Sequence, residues 1–259
     1  MQVRTTSEPA HPNLKDRVAI VTGGAGCLGR AVALCLRDHD CRVIVVDRDT
    51  TALDDLGDQP GIAAIACDLL DPDATERCLS AAWDRFGPIS ILVNAVGLIH
   101  NALLVDLSGP GDRRHTIEAW RQVIDTNLTA VFLVTVNLVE RMASTRTRGV
   151  VINFSSVAAT GNAGQGAYSA AKAGVNALTR AWAKELGPLG IRFVAIAPGF
   201  VDTPTTRRAL AEATLADWVR RTPLRRLASV DDVTSAVLFC ISNEYLTGKV
   251  IEIDGGLTL

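Results

Sequence analysis

The sequence predicts an α/β fold: a doubly wound, seven-stranded parallel sheet with helices on both faces. Three observations predict it. Seven short, β-branched apolar runs alternate with helical stretches along the chain, the pattern of strands buried on both sides. A glycine-rich turn joins the first run to the first helix, and an acid ends the second run. Polar and glycine-rich residues follow the carboxyl ends of the strands, where sheets of this class bind ligands.

Arg17 to Thr22 is the first strand, and the turn Gly23–Gly29 leads into a helix reaching about Asp38. Arg42 to Asp47 is the second strand, which completes a βαβ unit of about 30 residues. Its Gly-x-Gly-x-x-Gly (Gly24, Gly26, Gly29) is a Rossmann-type dinucleotide fingerprint. Glycines let the backbone approach a pyrophosphate, and the helix N-terminus offers free N–H groups and the positive end of its dipole. The Asp47 carboxylate is placed to accept hydrogen bonds from the adenosine ribose hydroxyls and to repel a 2′-phosphate, which favours NAD over NADP. Arg48 pulls the other way, since a guanidinium pairs with that phosphate.

Ile62 to Cys67 is the third strand, ended by Asp68, and Asp71-Pro72 opens a helix to Phe86-Gly87 with proline in its first turn. Ile89 to Asn94 is the fourth strand, and Ile117 to Met142 is a long helical stretch carrying Asn127. Val150–Phe154, Ile191–Ala197 and Lys249–Ile253 supply three more strands, with helices Ala167–Leu186 and Ser229–Cys240 between them. Residues 1–13 read as a flexible tail and 14–259 as a single domain. Gly23–Gly29, Asp47, Asp68, Asn94, Ser155, Ser156, Pro198 and Gly199 all fall at carboxyl ends of strands.

Composition excludes several function classes. A net charge of −2 gives no electrostatic reason to expect nucleic acid or an anionic membrane as partner. There is no run of about 18 apolar residues to span a bilayer. The first thirteen residues lack the apolar core of a secretory signal. Six cysteines form no Cys-x-x-Cys pair and sit mostly in apolar segments, as reduced buried thiols of a cytoplasmic protein would. The four histidines show no metal-ligand spacing, so no metal is expected.

The chemistry is concentrated between Ser155 and Lys172. Two hydroxyls follow an apolar strand, then a glycine-rich turn, then Tyr168 and Lys172 on an alanine-rich helix. Residues four apart on a helix share a face. An ammonium one turn from a phenol favours phenolate and is expected to lower the tyrosine's pKa, making proton exchange near neutral pH accessible.

These residues resemble the short-chain dehydrogenase/reductase family from about Leu14 to the C-terminus. The matching pieces are Thr22–Gly29, Asn94-Ala95-Val96-Gly97, Asn127, Ser155-Ser156, Tyr168-Ser169-Ala170-Ala171-Lys172, Pro198-Gly199 and Asp254-Gly255-Gly256. The segment Gly161–Gly174 is similar to the 3-oxoacyl-carrier-protein reductase branch. The resemblance implies a nicotinamide cofactor and hydride transfer between it and a secondary alcohol or ketone, including one carried on an acyl-carrier protein. It implies Tyr168 as acid and base, a serine on the substrate oxygen, Lys172 on the nicotinamide ribose, and Asn127 anchoring a water that passes protons to that lysine. For the cofactor it implies the turn (Gly23, Gly24, Gly26, Cys27, Leu28, Gly29), Asp68 and Leu69 at the adenine, Asn94, Ala95 and Gly97 at the ribose side, and Pro198, Gly199, Val201 and Thr203 at the carboxamide end. A homotetramer built partly on the Asn127 and Tyr168 helices is implied as well. The substrate is expected under a mobile segment from Asp202 to about Arg225, whose arginines are either an anion-greeting patch or a solvated face.

Four departures stand out. Cys27 occupies the middle glycine's place, which leaves the close approach to Gly26. Asn94-Ala95-Val96-Gly97 has one polar side chain fewer than usual. Counting from the strand end selects Ser156 as the reactive serine, while counting back from Tyr168 selects Ser155; the strand end is the firmer guide, with Ser155 as the alternative. Residues 98–120 are longer than usual and carry a Pro/Gly loop, suited to substrate choice or a subunit contact. A dinucleotide-binding regulator without turnover is the competing function. An enoyl reductase is expected to space its tyrosine and lysine further apart.

Overall fold

The computed structural model describes residues 14–108 and 113–259. The tail expected at 1–13, and the Pro/Gly tip at 109–112, lie outside the described residues. Seven parallel strands form one sheet in the order β3-β2-β1-β4-β5-β6-β7. They are β1 (Val18–Thr22), β2 (Arg42–Asp47), β3 (Ile62–Ala66), β4 (Ile91–Asn94), β5 (Gly149–Phe154), β6 (Ile191–Pro198) and β7 (Lys249–Ile253). The winding reverses between β1 and β4, which opens a crevice at their carboxyl ends.

Alternation along each strand builds two cores. Ala19, Val21, Val43, Val45, Ile91 and Val93 face α1 (Cys27–Asp38), α2 (Thr50–Gly57) and α9 (Val230–Ser242). Val18, Ile20, Ile44, Val46 and Leu92 face α3 (Pro72–Phe86), α5 (Ala130–Ser144) and α6 (Gly166–Leu186). Asp71 caps α3 by accepting from the Ala74 N–H, and Ser229 with Asp232 forms a capping box on α9.

Two stretches depart from the expected elements. The long helix is α4 (Ile117–Ile124), then a π-helical turn at Asp125–Thr129 that includes Asn127, then α5. As one 28-residue stretch, Ile117–Ser144 is long and apolar enough to cross a membrane by length and mean hydropathy, though polar residues interrupt it, and 44% of its most apolar window is buried. Val134, Leu138, Val139 and Met142 on it belong to the sheet's core, the packing of an interior helix. The segment expected to be a mobile cover is folded into α7 (Pro204–Ala209) and α8 (Glu212–Arg221).

Thr22, Asn94 and Asn153 are register partners across β1, β4 and β5. Asn94 Nδ2 donates to Asn153 Oδ1 (2.9 Å) and Thr135 Oγ1 (3.1 Å), and Asn153 Nδ2 donates to Thr179 Oγ1 (2.9 Å). Buried polar groups must be satisfied, so this ladder fixes α5 and α6 against the strand ends that frame the crevice.

Candidate active site

The crevice has two halves, of about 340 and 360 Å³, which share Gly23, Gly26, Ala95, Val96 and Gly97. Gly23 turns the chain with φ +65°, and a Cβ on Gly29 would lie 2.2 Å from the Gly23 carbonyl oxygen. The helix therefore starts against the turn only because Gly29 has no side chain. Gly26 is the N-cap of α1, which has no side-chain cap and no acid in its first turn. Its first N–H groups, at Cys27, Leu28 and Gly29, are the ones an anion would meet. Gly24 lines neither half. A Cβ there would strike Val45 Cγ1 at 2.2 Å, so its bareness permits helix–sheet packing instead.

The first half runs from the turn past Asp47, Arg48, Asp49, Cys67, Asp68 and Leu69. Asp47 Oδ2 accepts from the Ala25 N–H (3.0 Å), and its Oδ1 accepts from Arg48 N (2.7 Å) and Asp49 N (3.2 Å). These bonds pin the carboxylate at the end of β2 while leaving acceptor capacity, since a carboxylate has about four lone-pair sites. Asp68 Oδ1 accepts from Leu70 N at 3.0 Å, and Leu69 is buried beneath it.

The second half collects Ser156, Tyr168, Lys172, Pro198, Gly199, Val201 and Thr203 from β5, α6 and the loop after β6. Tyr168 packs with Val123, Ala158 and Ala167. Its phenol pKa is raised, against the expected lowering: burial disfavours the phenolate, and the Ser156 hydroxyl beside it opposes this only in part. Lys172 stands 5.6 Å from the Tyr168 ring centroid, facing the ring, and its Nζ donates to the Phe154 carbonyl at 2.8 Å. Burial pulls its pKa down to about 8.

That burial has a measurable consequence. Because the folded-state pKa of about 8 lies below the ordinary 10.5, the unfolded chain holds the extra proton between these values, and stability rises with pH across that window. Relative to Lys172→Met, the wild type is expected to gain roughly 2 kcal/mol between pH 7 and 9.5 and nothing below pH 7. Denaturant titrations of both proteins at each pH check this; a constant difference refutes the buried ammonium.

The two serines part here. Ser155 is 4% exposed and its Oγ donates to the Lys172 carbonyl at 3.3 Å, while Ser156 accepts from Ala158 N and faces Tyr168. Asn127 is fully buried; its Nδ2 donates to the Leu98 and Val123 carbonyls (2.8 and 2.9 Å), and its Oδ1 accepts from Leu98 N (3.2 Å). It thus clamps the chain that follows Gly97. Asn94 lies outside both halves, committed to the sheet's polar ladder. Thr203 lines the crevice with its Oγ1 accepting from Thr206 N, as the cap of α7.

Ala25, Val96, Asn162 and Gln165 also line the crevice; the sequence reading placed them within its motif stretches but gave them no role. Four of the six cysteines are buried, and Cys27, expected in the cofactor turn, is exposed at the crevice. Half of the arginine patch is paired with carboxylates. Arg207 pairs with Asp202, Arg226 with Asp232 and Arg220 with Asp217, while Arg221 stacks on Trp218 at 4.3 Å. Among the described residues no group of three or more His, Cys, Asp or Glu side chains is arranged to hold a metal.

Known proteins match nearly the whole chain. The family profile described as Enoyl-(Acyl carrier protein) reductase matches residues 23–258. The chain is similar to the 3-oxoacyl-(acyl-carrier-protein) reductase of Thermotoga maritima, with 37% identity covering 95% of this chain and 99% of that one. The enzymes of that name from Vibrio cholerae and Escherichia coli are 34% and 32% identical, each matched over 95% of this chain and 98% of its own. Both the doubly wound sheet and these matches lead to one conclusion: the chain belongs to the short-chain dehydrogenase/reductase family, as an NAD(P)-dependent oxidoreductase acting on a ketone or alcohol.

Proposed function

We propose that the protein reduces a ketone, or oxidises the matching secondary alcohol, with Tyr168 as the proton-transferring group and Ser156 as the hydrogen-bond donor to the reacting oxygen. The observation that carries this reading is the convergence of Tyr168, Ser156 and Lys172 on one half of a crevice whose other half ends at Asp47. Bound nicotinamide supplies or accepts the hydride. A phenol held neutral by burial suits the reductive direction: Tyr168 gives its proton to the carbonyl oxygen as charge develops there, and Ser156 stabilises that charge. Lys172 has three N–H donors and, among the described residues, one acceptor at Phe154, so two remain for ribose hydroxyls. Asn127 acts by positioning, through the backbone at Leu98. The spacing Tyr168-x-x-x-Lys172 favours carbonyl over enoyl reduction. The substrate class includes ketones carried on an acyl-carrier protein, as the relatives' names indicate for those enzymes.

NAD is the proposed cofactor. The pinned Asp47 carboxylate has room for a ribose hydroxyl and repels a 2′-phosphate. Fluorescence titration with NADH and NADPH, followed by rates on a panel of ketones, tests the assignment. NADH is expected to bind at least about tenfold more tightly. Tighter NADPH binding reverses the preference in favour of Arg48, and no turnover on any ketone or alcohol with either cofactor overturns the enzyme reading for a non-catalytic binder.

A cytoplasmic homotetramer completes the proposal. Phe132 and Val136 present exposed apolar side chains on α5, and Ala170, Ala173 and Ala177 present a small-residue face on α6. Apolar faces of this kind mark contacts between subunits. Sedimentation at micromolar concentration is expected to give four copies; a stable monomer refutes it.

A further inference from the structure

We propose that the segment after β4 builds a second cavity beside the crevice, a subsite for the apolar chain of the substrate. The inference rests on the oxidoreductase reading and names the substrate's far end. Backbone pairing holds its described residues together. Val105 and Arg114 form an antiparallel bridge, with Asp106 N donating to the Arg113 carbonyl (2.7 Å) and His115 N to the Leu104 carbonyl (3.0 Å). This ribbon is fastened to the turn before Tyr168: Ala102 bridges Gln165, Ala102 N donates to the Gly164 carbonyl (2.8 Å), and Gln165 Nε2 donates to Asn101 Oδ1 (2.9 Å).

Between ribbon and turn lies a cavity of about 380 Å³ lined by Ala102, Leu104, Ile117, Trp120, Gly166 and Ala167, among others. Apart from His115, none of its lining side chains is titratable, so an aliphatic occupant loses nothing to unpaired charge. Leu104 is 84% exposed and Ile117 52%, apolar surface that an occupant would remove from water. Adjacency to the reacting end of the crevice argues for that occupant. Asn162 lines both this cavity and the crevice, and Gly166 and Ala167 immediately precede Tyr168 on α6. A Cβ added at Gly166 would meet nothing within 4 Å, so the space is open at that end. A ketone whose oxygen reaches Tyr168 can therefore lay its chain across the turn at Asn162.

The test compares 3-oxoacyl N-acetylcysteamine thioesters of four and ten carbons. Wild-type kcat/KM is expected to favour the ten-carbon substrate by at least about tenfold, since each buried methylene multiplies affinity about threefold to fourfold. Ala102→Phe, which fills the cavity, and Leu104→Ser, which makes its exposed wall polar, are each expected to lower the ten-to-four ratio about tenfold. An unchanged ratio in both variants overturns the subsite. So does a retained ratio in variants whose assembly dissociates on sedimentation, because the face is then a contact between copies. Calorimetric binding of the corresponding 3-hydroxyacyl thioesters separates the two readings. If no thioester turns over but tight binding of the ten-carbon ligand is lost in Ala102→Phe, the subsite stands and the reaction assignment falls. Turnover of both lengths without preference does the reverse.

Discussion

Tyr168→Phe is expected to lower turnover by about three orders of magnitude while cofactor affinity stays within about twofold. The substitution removes only the hydroxyl. The ring keeps its packing against Val123, Ala158 and Ala167, so the helix that carries Lys172 stays in place. What is lost is the proton donor for the reacting oxygen. The serines supply a matched control. Ser156→Ala removes a hydroxyl that faces the phenol and is expected to cost about 10²–10³ in kcat. Ser155→Ala removes a bond to the Lys172 carbonyl and is expected to cost about 1 kcal/mol of stability with little change in kcat. Steady-state kinetics and denaturant titrations of the three variants check this. Near-normal turnover in Tyr168→Phe removes the mechanism, and a larger kcat loss in Ser155→Ala than in Ser156→Ala exchanges the serines.

Gly29→Ala is the second large effect. Its Cβ would fall 2.2, 2.8 and 2.9 Å from Gly23 O, Gly23 C and Gly24 Cα. All three are backbone atoms, so no side chain can rotate away and α1 must draw back from the turn. Cofactor affinity is expected to fall at least about 100-fold, as the N–H groups leave the pyrophosphate position, with a stability loss of about 1–3 kcal/mol from overpacking. Gly187→Ala, where a Cβ meets nothing within 4 Å, is expected to change neither. Fluorescence titration with reduced cofactor and thermal unfolding provide the readouts; cofactor affinity within threefold of wild type in Gly29→Ala refutes the cradle.

Much of this protein was legible without coordinates because its signals are local. A strand buried on both faces must be apolar, so the five central runs were visible as strands, and the partly exposed edge strands β3 and β7 showed as apolar runs too. A turn that a Cβ would close must keep its glycines, so Gly23–Gly29 declared the crevice. Helices with weak or short patterns escaped. Thr50–Gly57 and Pro204–Ala209 span barely two turns, too few for a period to show. The π turn at Asp125–Thr129 was equally invisible, because one added residue leaves helical periodicity intact on either side.

Sequence alone determined the individual strands, the dinucleotide turn and the tyrosine–lysine pair, each set by a pattern within its own segment. Tertiary structure alone decided which serine faces the phenol, that Asn94 serves the sheet rather than the crevice, and that burial raises the Tyr168 pKa where a neighbouring ammonium had been expected to lower it. Those outcomes depend on solvent exclusion and on partners distant in the chain, such as Ser156 at the end of β5 and Thr135 on α5. Desolvation is a property of the packed interior, and no interval along a chain encodes it.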